Sequence, residues 1–244
     1  MANPLIVNEI FLSVQGESSY AGLPCIFIRL TGCNLRCSYC DTAYAFFEGR
    51  RMKQQEILET VDQLAAPYNR WATLPRLPIV EITGGEPLIQ RGSMDLMRAL
   101  CDNGFTVLLE TNGTLDIGAV DPRVHRIMDI KCPSSGEHHR NRFENIGQLT
   151  PRDELKFVIS THEDYEWARE VVRNIKSDCV GQVLFSWAIP LEPSQRDASL
   201  RPMPTNHRPI TRRELAERIL ADALPVRFQV QLHKVIWPPD QRGV

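Results

Sequence analysis

The sequence predicts an α/β fold built on a parallel sheet or barrel, and two observations carry that prediction. Short apolar strands alternate with amphipathic helices about six or seven times, the pattern of parallel strands joined by crossovers. The least ordinary residues stand in the loops that follow strands, at the carboxyl ends where parallel sheets and barrels hold their sites. At 244 residues the chain can bury a full core without staples.

Taken in order, residues 5–14 (LIVNEIFLSV) read as a strand and 15–24 (QGESSYAGLP) as a loop. Cys25–Leu30 is a short apolar run bounded by turn signals, read as a buried strand with Arg29 near its end. Gln54–Ala66 carries Ile57, Leu58, Val61, Leu64 and Ala65 at helical spacing, and Pro67 stops it. A connector, NRWATLPRLP, leads to a strand over Ile79–Ile82 and then to TGGEP, residues 83–87. Ser93–Cys101 is expected to be a helix with Ser93 as N-cap and Asp95 in its first turn, ended by Asn103-Gly104. Phe105–Glu110, Val124–Lys131 and Leu155–Ser160 read as strands; TNGT follows the first and the polar CPSSGEHHRNRF the second. Thr161 with Asp164 resembles a capping box opening a helix to about Ile175. Val180–Trp187 is a strand, residues 190–210 with five prolines an irregular arm, and Thr211 with Glu214 caps a helix to Asp222. Val226–Leu232 is the last strand. One helix and one strand after the arm are too little for a second core. Residues 1–244 are therefore expected to form one domain with an arm at 190–210 and a C-terminal tail.

Composition narrows the function. The chain is 43% hydrophobic and 24% charged with a net charge of −2, so no basic field supports nucleic-acid binding. No apolar run reaches the ~18 residues of a membrane span. The N-terminus lacks a basic region followed by a cleavable apolar run, so no signal peptide is read. Seven cysteines in a chain expected to be cytoplasmic favour metal or catalytic thiols over disulfides.

Cys33, Cys37 and Cys40 lie in GCNLRCSYCDT, residues 32–42, with C-x3-C-x2-C spacing. Four thiolates would close a tetrahedral zinc site or ligate every iron of a four-iron cluster; three leave one position open. The spacing alone leaves two metal readings: a structural zinc knuckle completed by a distant ligand, and a [4Fe–4S] cluster with one free iron. Gly84-Gly85-Glu86 follows a strand, where glycines allow close backbone approach and a carboxylate or carbonyl suits an ammonium. Cys25, Cys101 and Cys179 read as packed thiols, and Cys132 as a non-ligand. His138 and His139 read as solvated, Trp71 and Trp187 as packing; His233, at the end of the last strand, receives no role.

The cysteine spacing, Tyr39 before the last cysteine and the GGEP turn downstream resemble the radical S-adenosylmethionine (SAM) superfamily. EIFLSVQGES, RLTGCNLRCSYCDT, ITGGEPL, ETNGT, DIKCPSSGE and QLHKVIWPPDQRGV extend the resemblance to the 7-carboxy-7-deazaguanine synthase (QueE) family over most of the chain. The resemblance implies a radical SAM partial (β/α) barrel of about six units, shorter than the eight of a full barrel. It implies a [4Fe–4S] cluster on Cys33, Cys37 and Cys40, with SAM on the open iron. One electron then cleaves SAM to methionine and a 5′-deoxyadenosyl radical. The reaction implied is a lyase step of queuosine-precursor biosynthesis. 6-Carboxy-5,6,7,8-tetrahydropterin becomes 7-carboxy-7-deazaguanine with loss of ammonia, and SAM is regenerated.

Residue by residue, the resemblance puts Val14, Gln15, Gly16, Glu17, Arg29 and Thr83 at the pterin. It puts Tyr39, Cys40, Asp41, Gly84, Gly85, Glu86, Cys132, Pro133 and Ser134 at SAM, with Glu110 and Asn112 near the ribose. Thr42 becomes a ligand of Mg2+, an ion that takes hard oxygens and few of them from protein. A homodimer, an external one-electron donor such as flavodoxin or ferredoxin, and a tail beyond Trp237 folding back over the pterin complete the expectation. Two other readings stay open: another radical SAM enzyme such as a glycyl-radical activase, and a zinc-stabilised interaction module.

Overall fold

The computed structural model describes residues 4–71, 75–175 and 180–244. Among the described residues nine strands form one sheet: β1 Leu5–Val14, β2 Pro24–Leu30, β3 Arg50–Met52, β4 Ile79–Gly84, β5 Val107–Thr111, β6 His125–Ile130, β7 Glu154–Ile159, β8 Gln182–Trp187 and β9 Arg227–Val230. Their order is β3-β1-β2-β4-β5-β6-β7-β8-β9. β1 runs antiparallel to β2 and β3. From β2 to β9 every pair is parallel. The helices are α1 Gln54–Ala65, α2 Gly92–Asp102, α3 His162–Asn174, α4 Arg212–Ala221 and α5 Leu232–Ile236.

The period of two along each strand separates two environments. Ile26, Ile28 and Leu30 on β2, Val80 and Ile82 on β4, and Phe157 and Ile159 on β7 face the helices and belong to the main apolar core. The alternate residues, among them Phe27, Arg29, Glu81, Thr83, Glu110, Asp129, Lys156 and Val158, line a cavity on the inner face. Cys25, Ile79, Leu108 and Ile127 form a small apolar layer at the amino-terminal end of that face. A sheet curled this way, with unpaired edges at β3 and β9, is a partial barrel.

Several expectations shift. The alternation is less regular than its sequence pattern: α1 to α4 serve the β2–β4, β4–β5, β7–β8 and β8–β9 crossovers, while β5–β6 and β6–β7 are joined by turns and 3-10 segments. Ser93 is not the cap of α2. The cap is Arg91, because a 3-10 turn over Pro87–Ile89 runs into the helix and Ser93 N donates to the Gln90 carbonyl at 2.9 Å. β3 was not expected; two arginines left an apolar pattern too short to read. β9 ends at Val230, and α5 replaces the rest of the expected strand, so His233 lies on a helix. Trp71, expected to pack, is 62% exposed. Trp187 does pack, its indole N–H donating to the Ile210 carbonyl at 2.8 Å. Cys25 and Cys132 are buried, Cys101 is partly exposed, and Cys179 lies outside the described residues. Among the described residues no helix is long and apolar enough to cross a membrane.

Candidate active site

The cysteine loop begins where β2 ends and is held from three sides. Gly32 N donates to the Ala45 carbonyl at 2.8 Å, Glu86 N donates to the Gly32 carbonyl at 2.8 Å, and Ser38 N donates to the Ser135 carbonyl at 3.0 Å. The Ser38 hydroxyl donates to the Ser134 carbonyl at 2.6 Å. Loops after β2, β4 and β6 are thereby locked together.

The GGEP turn shows why it has its glycines. Gly84 has φ +139°, and a Cβ there would stand 2.1 Å from the Leu30 carbonyl oxygen. A Cβ on Gly85 would stand 2.1 Å from the Gly32 carbonyl oxygen. The pair lets one backbone press against the other. Glu86 is fully buried. Its carboxylate accepts from Leu88 N at 3.0 Å, Thr111 Oγ1 at 2.8 Å and Asn112 N at 2.7 Å. Glu86 thus anchors the ETNGT turn after β5, while the glycines, not the carboxylate, border the cavity.

Cys33, Cys37 and Cys40 all line this cavity of about 200 Å³. Burial pushes the Cys37 thiol up to about 12, with Lys131 opposing the shift and Cys40 and Cys33 adding to it. Burial likewise pushes Cys40 up to about 11. Neutral thiols so placed need a local positive centre to ionise, which iron supplies on ligation. Polar groups already lie against the sulfurs: Leu35 N donates to Cys33 Sγ at 3.4 Å, and Cys40 Sγ and Thr42 Oγ1 share a hydrogen bond at 3.7 Å in which either can donate. Among the described residues no three Cys, His, Asp or Glu side chains converge on a single ion. A four-iron cluster does not ask for that convergence, since its cysteines attach to different irons. Among the described residues the buried Tyr39 hydroxyl and Asp129 Oδ1 find no hydrogen-bond partner. Both residues line the cavity beside the thiols, polar atoms left over for a polar ligand. The donor set and these two atoms fit a cluster carrying SAM.

Deeper in the cavity lies a polar network. Lys156 Nζ donates to Glu110 Oε1 at 2.5 Å and Glu17 Oε2 at 3.0 Å, and Ser186 Oγ donates to Glu17 Oε1 at 2.7 Å. Burial favours a neutral Glu17, but Lys156, His233 and the Ser186 hydroxyl outweigh it and hold the carboxyl below its ordinary value. Gln15 Nε2 donates to Glu81 Oε2 at 2.8 Å, while Glu17 N donates to Gln15 Oε1 at 2.6 Å. Burial, reinforced by Glu110, pushes Glu81 up to about 8. That direction favours the protonated form of Glu81 near neutral pH. Arg29 Nε donates to Glu9 Oε1 at 2.7 Å, which fixes the guanidinium at the cavity wall with its terminal nitrogens available to an anion.

Of the site residues expected from sequence, Gln15, Gly16, Glu17, Arg29, Tyr39, Cys40, Asp41, Thr42, Thr83, Gly84 and Gly85 meet in this one cavity, as do Glu110 and Asn112. Val14 borders a neighbouring cavity instead, since the β1 pleat turns it away from Gln15. Cys132, Pro133 and Ser134 are not brought to the cavity. Ser134 donates from N and Oγ to Asp164 at 2.8 and 2.6 Å, so this segment braces α3 and the cysteine loop. The Asp41 carboxylate is taken by Lys234 and by Gln231 Nε2. Glu81, Asp129, Lys131, Lys156, Ser186 and Lys234 were missed. Glu81, Asp129 and Lys156 had a legible signal: a charge in the middle of an otherwise apolar strand.

A curled parallel sheet carrying three cysteines beyond its first parallel strand defines a class, and residues 27–190 match the radical SAM superfamily. The chain belongs to it, and with it come a [4Fe–4S] cluster and SAM. Two full-length relatives narrow the class. The chain is 45% identical over 241 residues to a 7-carboxy-7-deazaguanine synthase of Koribacter versatilis, covering 98% of this chain and 99% of the relative. It is 44% identical to one of Chlorobaculum tepidum, covering 99% and 98%. The crystal structure of QueE from Escherichia coli superposes with a TM-score of 0.67 at 22% identity, covering 94% of this chain and 95% of that one. The chain belongs to the 7-carboxy-7-deazaguanine synthase family, and it is an enzyme.

Proposed function

We propose that the enzyme converts 6-carboxy-5,6,7,8-tetrahydropterin to 7-carboxy-7-deazaguanine with loss of ammonia, a step toward queuosine-type deazapurines. The observation that carries this reading is one cavity lined by the three thiols together with Gln15, Glu17, Glu110 and Arg29. Cys33, Cys37 and Cys40 would hold the cluster, which supplies the electron that cleaves SAM to a radical able to take hydrogen from carbon. Gly84, Gly85 and Tyr39 border the adjoining volume, which suits SAM. Arg29, braced by Glu9, presents guanidinium donors to the substrate carboxylate. Glu17, held below its ordinary value by Lys156, and Glu110, paired with the same lysine, offer acceptors to the N–H-rich pyrimidine edge of a pterin. Glu17 N, donating to Gln15 Oε1, sets the Gln15 amide so that its NH2 faces Glu81. The apolar layer of Cys25, Ile79, Leu108 and Ile127 closes the inner end against water, which a radical intermediate requires.

Thr42, on the cavity wall beside Arg29, would give Mg2+ a hydroxyl oxygen, with substrate carboxylate and water as further ligands. We also propose one domain, a homodimer, a cytoplasmic setting and a flavodoxin- or ferredoxin-type donor. The test is anaerobic incubation of reconstituted enzyme with SAM, reductant, Mg2+ and the carboxytetrahydropterin. A product with the mass of 7-carboxy-7-deazaguanine is expected. SAM cleavage without it removes the proposed substrate while leaving the superfamily chemistry in place.

A further inference from the structure

We propose that Asp41 and Lys234 form a clamp that holds the C-terminal segment 231–244 closed over the cavity, and so act as positioning residues for substrate binding. The role in turnover rests on the function proposed above; the closure itself does not.

The ion pair is half-buried: the Lys234 side chain is 5% exposed and the Asp41 side chain 24%, with Gln231 Nε2 donating to the same Asp41 oxygen at 3.3 Å. It joins the residue after Cys40 to the first helix after the last strand. That junction crosses the open side of the sheet, where β9 has no strand partner beyond it. Little else holds α5 there. None of its residues is buried, and Val235 and Ile236 are 62% and 51% exposed. Apolar burial, the usual anchor of a helix, is therefore weak. One backbone bond, Leu232 N to the Gly16 carbonyl at 2.9 Å, ties α5 to the loop after β1. Farther on, Arg242 donates to Glu48 Oε2 at 2.8 Å and lies 3.8 Å over the Tyr44 ring, while Gln195 Nε2 donates to the Pro239 carbonyl at 2.9 Å and Ser194 Oγ to Asp240 Oδ2 at 3.2 Å; these hold the end of the segment, beyond α5, through mostly exposed contacts of the kind that contribute little.

What the clamp positions is inside the cavity. His233 packs on Gly16 so closely that a Cβ there would meet Nδ1 at 2.2 Å. Gln231, His233 and Lys234 are cavity-lining residues. If α5 lifts, this wall leaves with it. Removing one partner leaves the other's charge unpaired in a partly desolvated position, which favours the lifted state. Should the closed fraction fall to about one tenth, apparent affinity for a substrate that needs closure falls about tenfold.

The experiment uses cluster-reconstituted full chain carrying Lys234→Met, Asp41→Asn or both. Hydrogen exchange is followed over 231–236 and KM and kcat for the carboxytetrahydropterin are measured. Each single variant should speed exchange in that segment and raise KM about tenfold, with kcat changing less. The double variant should be no worse than the worse single, because both remove one interaction. If Asp41→Asn loses iron through its neighbour Cys40, Lys234→Met alone decides. Unchanged exchange in Lys234→Met overturns the clamp, as do additive effects in the double variant. Faster exchange in a protein whose wild type does not turn over the pterin keeps the clamp and removes the proposed reaction.

Discussion

Replacing Gly85 by Ala adds one methyl group at the closest backbone contact in the site. The new Cβ would lie 2.1 Å from the Gly32 carbonyl oxygen, 2.5 Å from its carbon and 2.8 Å from Cys33 Cβ. Non-bonded carbon contacts are comfortable at about 3.5–4.0 Å. The GGEP turn and the cysteine loop must therefore separate by more than about 1 Å, and the obstacle is backbone that has no rotamer to change. The Glu86 N to Gly32 carbonyl bond at 2.8 Å and the Gly85 N to Leu30 carbonyl bond at 3.2 Å lie across that gap. Overpacking costs about 1–3 kcal/mol and two weakened hydrogen bonds about 0.5–1.5 kcal/mol each. The sum, roughly 2–6 kcal/mol, lowers the melting temperature on the order of 10 °C for a chain of this size. The displaced loop carries Cys33, so iron retained per chain after anaerobic reconstitution should also fall. Gly147, with nothing within 4 Å of its added Cβ, is the control, and its Ala variant should melt close to wild type. A Gly85→Ala protein with full iron content and unshifted melting would refute the packing argument for this turn.

Other consequences can be measured separately. Lys156→Met leaves Glu17 and Glu110, 13% and 24% exposed, without their cation, a loss of about 2–3 kcal/mol, below that of a fully buried pair; urea unfolding at neutral pH should show it, and acidification should recover part of it as Glu17 protonates. Glu81 holds its proton up to about 8 when folded against an ordinary 4.5. The unfolded chain thus binds fewer protons between those values. This contribution to stability is complete below about pH 4.5 and is lost as pH rises through 8, at roughly 1.4 kcal/mol per pH unit. Glu81→Gln, which keeps an acceptor for Gln15, should flatten that slope in denaturant midpoints; identical slopes would argue against a protonated Glu81. Thr42→Ala should weaken the Mg2+ dependence of turnover while leaving iron content intact.

The strand-and-helix reading reached most elements because apolar periodicity and capping boxes are local signals. Thr161 does accept from Asp164 N at 3.1 Å and Thr211 from Glu214 N at 3.2 Å. It stopped short at α2 and β9, where tertiary contact overrides local preference: a preceding 3-10 turn moves the cap from Ser93 to Arg91, and the tie to Gly16 turns Leu232–Ile236 into a helix. In the site, the thiols, Gln15, Glu17, Arg29 and the glycines were legible as motifs. The partners were not. Lys156 reaches Glu17 across 139 residues and Lys234 reaches Asp41 from the far end of the chain. Such pairings depend on the sheet's curl, which no local pattern encodes. The family resemblance places Glu86 and Ser134 at SAM; in the fold their side chains bond to Thr111, Asn112 and Asp164, contacts no local pattern shows.

The most direct test is the ratio of product to SAM consumed. Reconstituted enzyme is given limiting SAM, a one-electron reductant, Mg2+ and excess 6-carboxy-5,6,7,8-tetrahydropterin under anaerobic conditions. More 7-carboxy-7-deazaguanine than SAM supplied, with an equal amount of ammonia, is predicted for an enzyme that regenerates SAM. Consumption of SAM with no deazaguanine formed would contradict it.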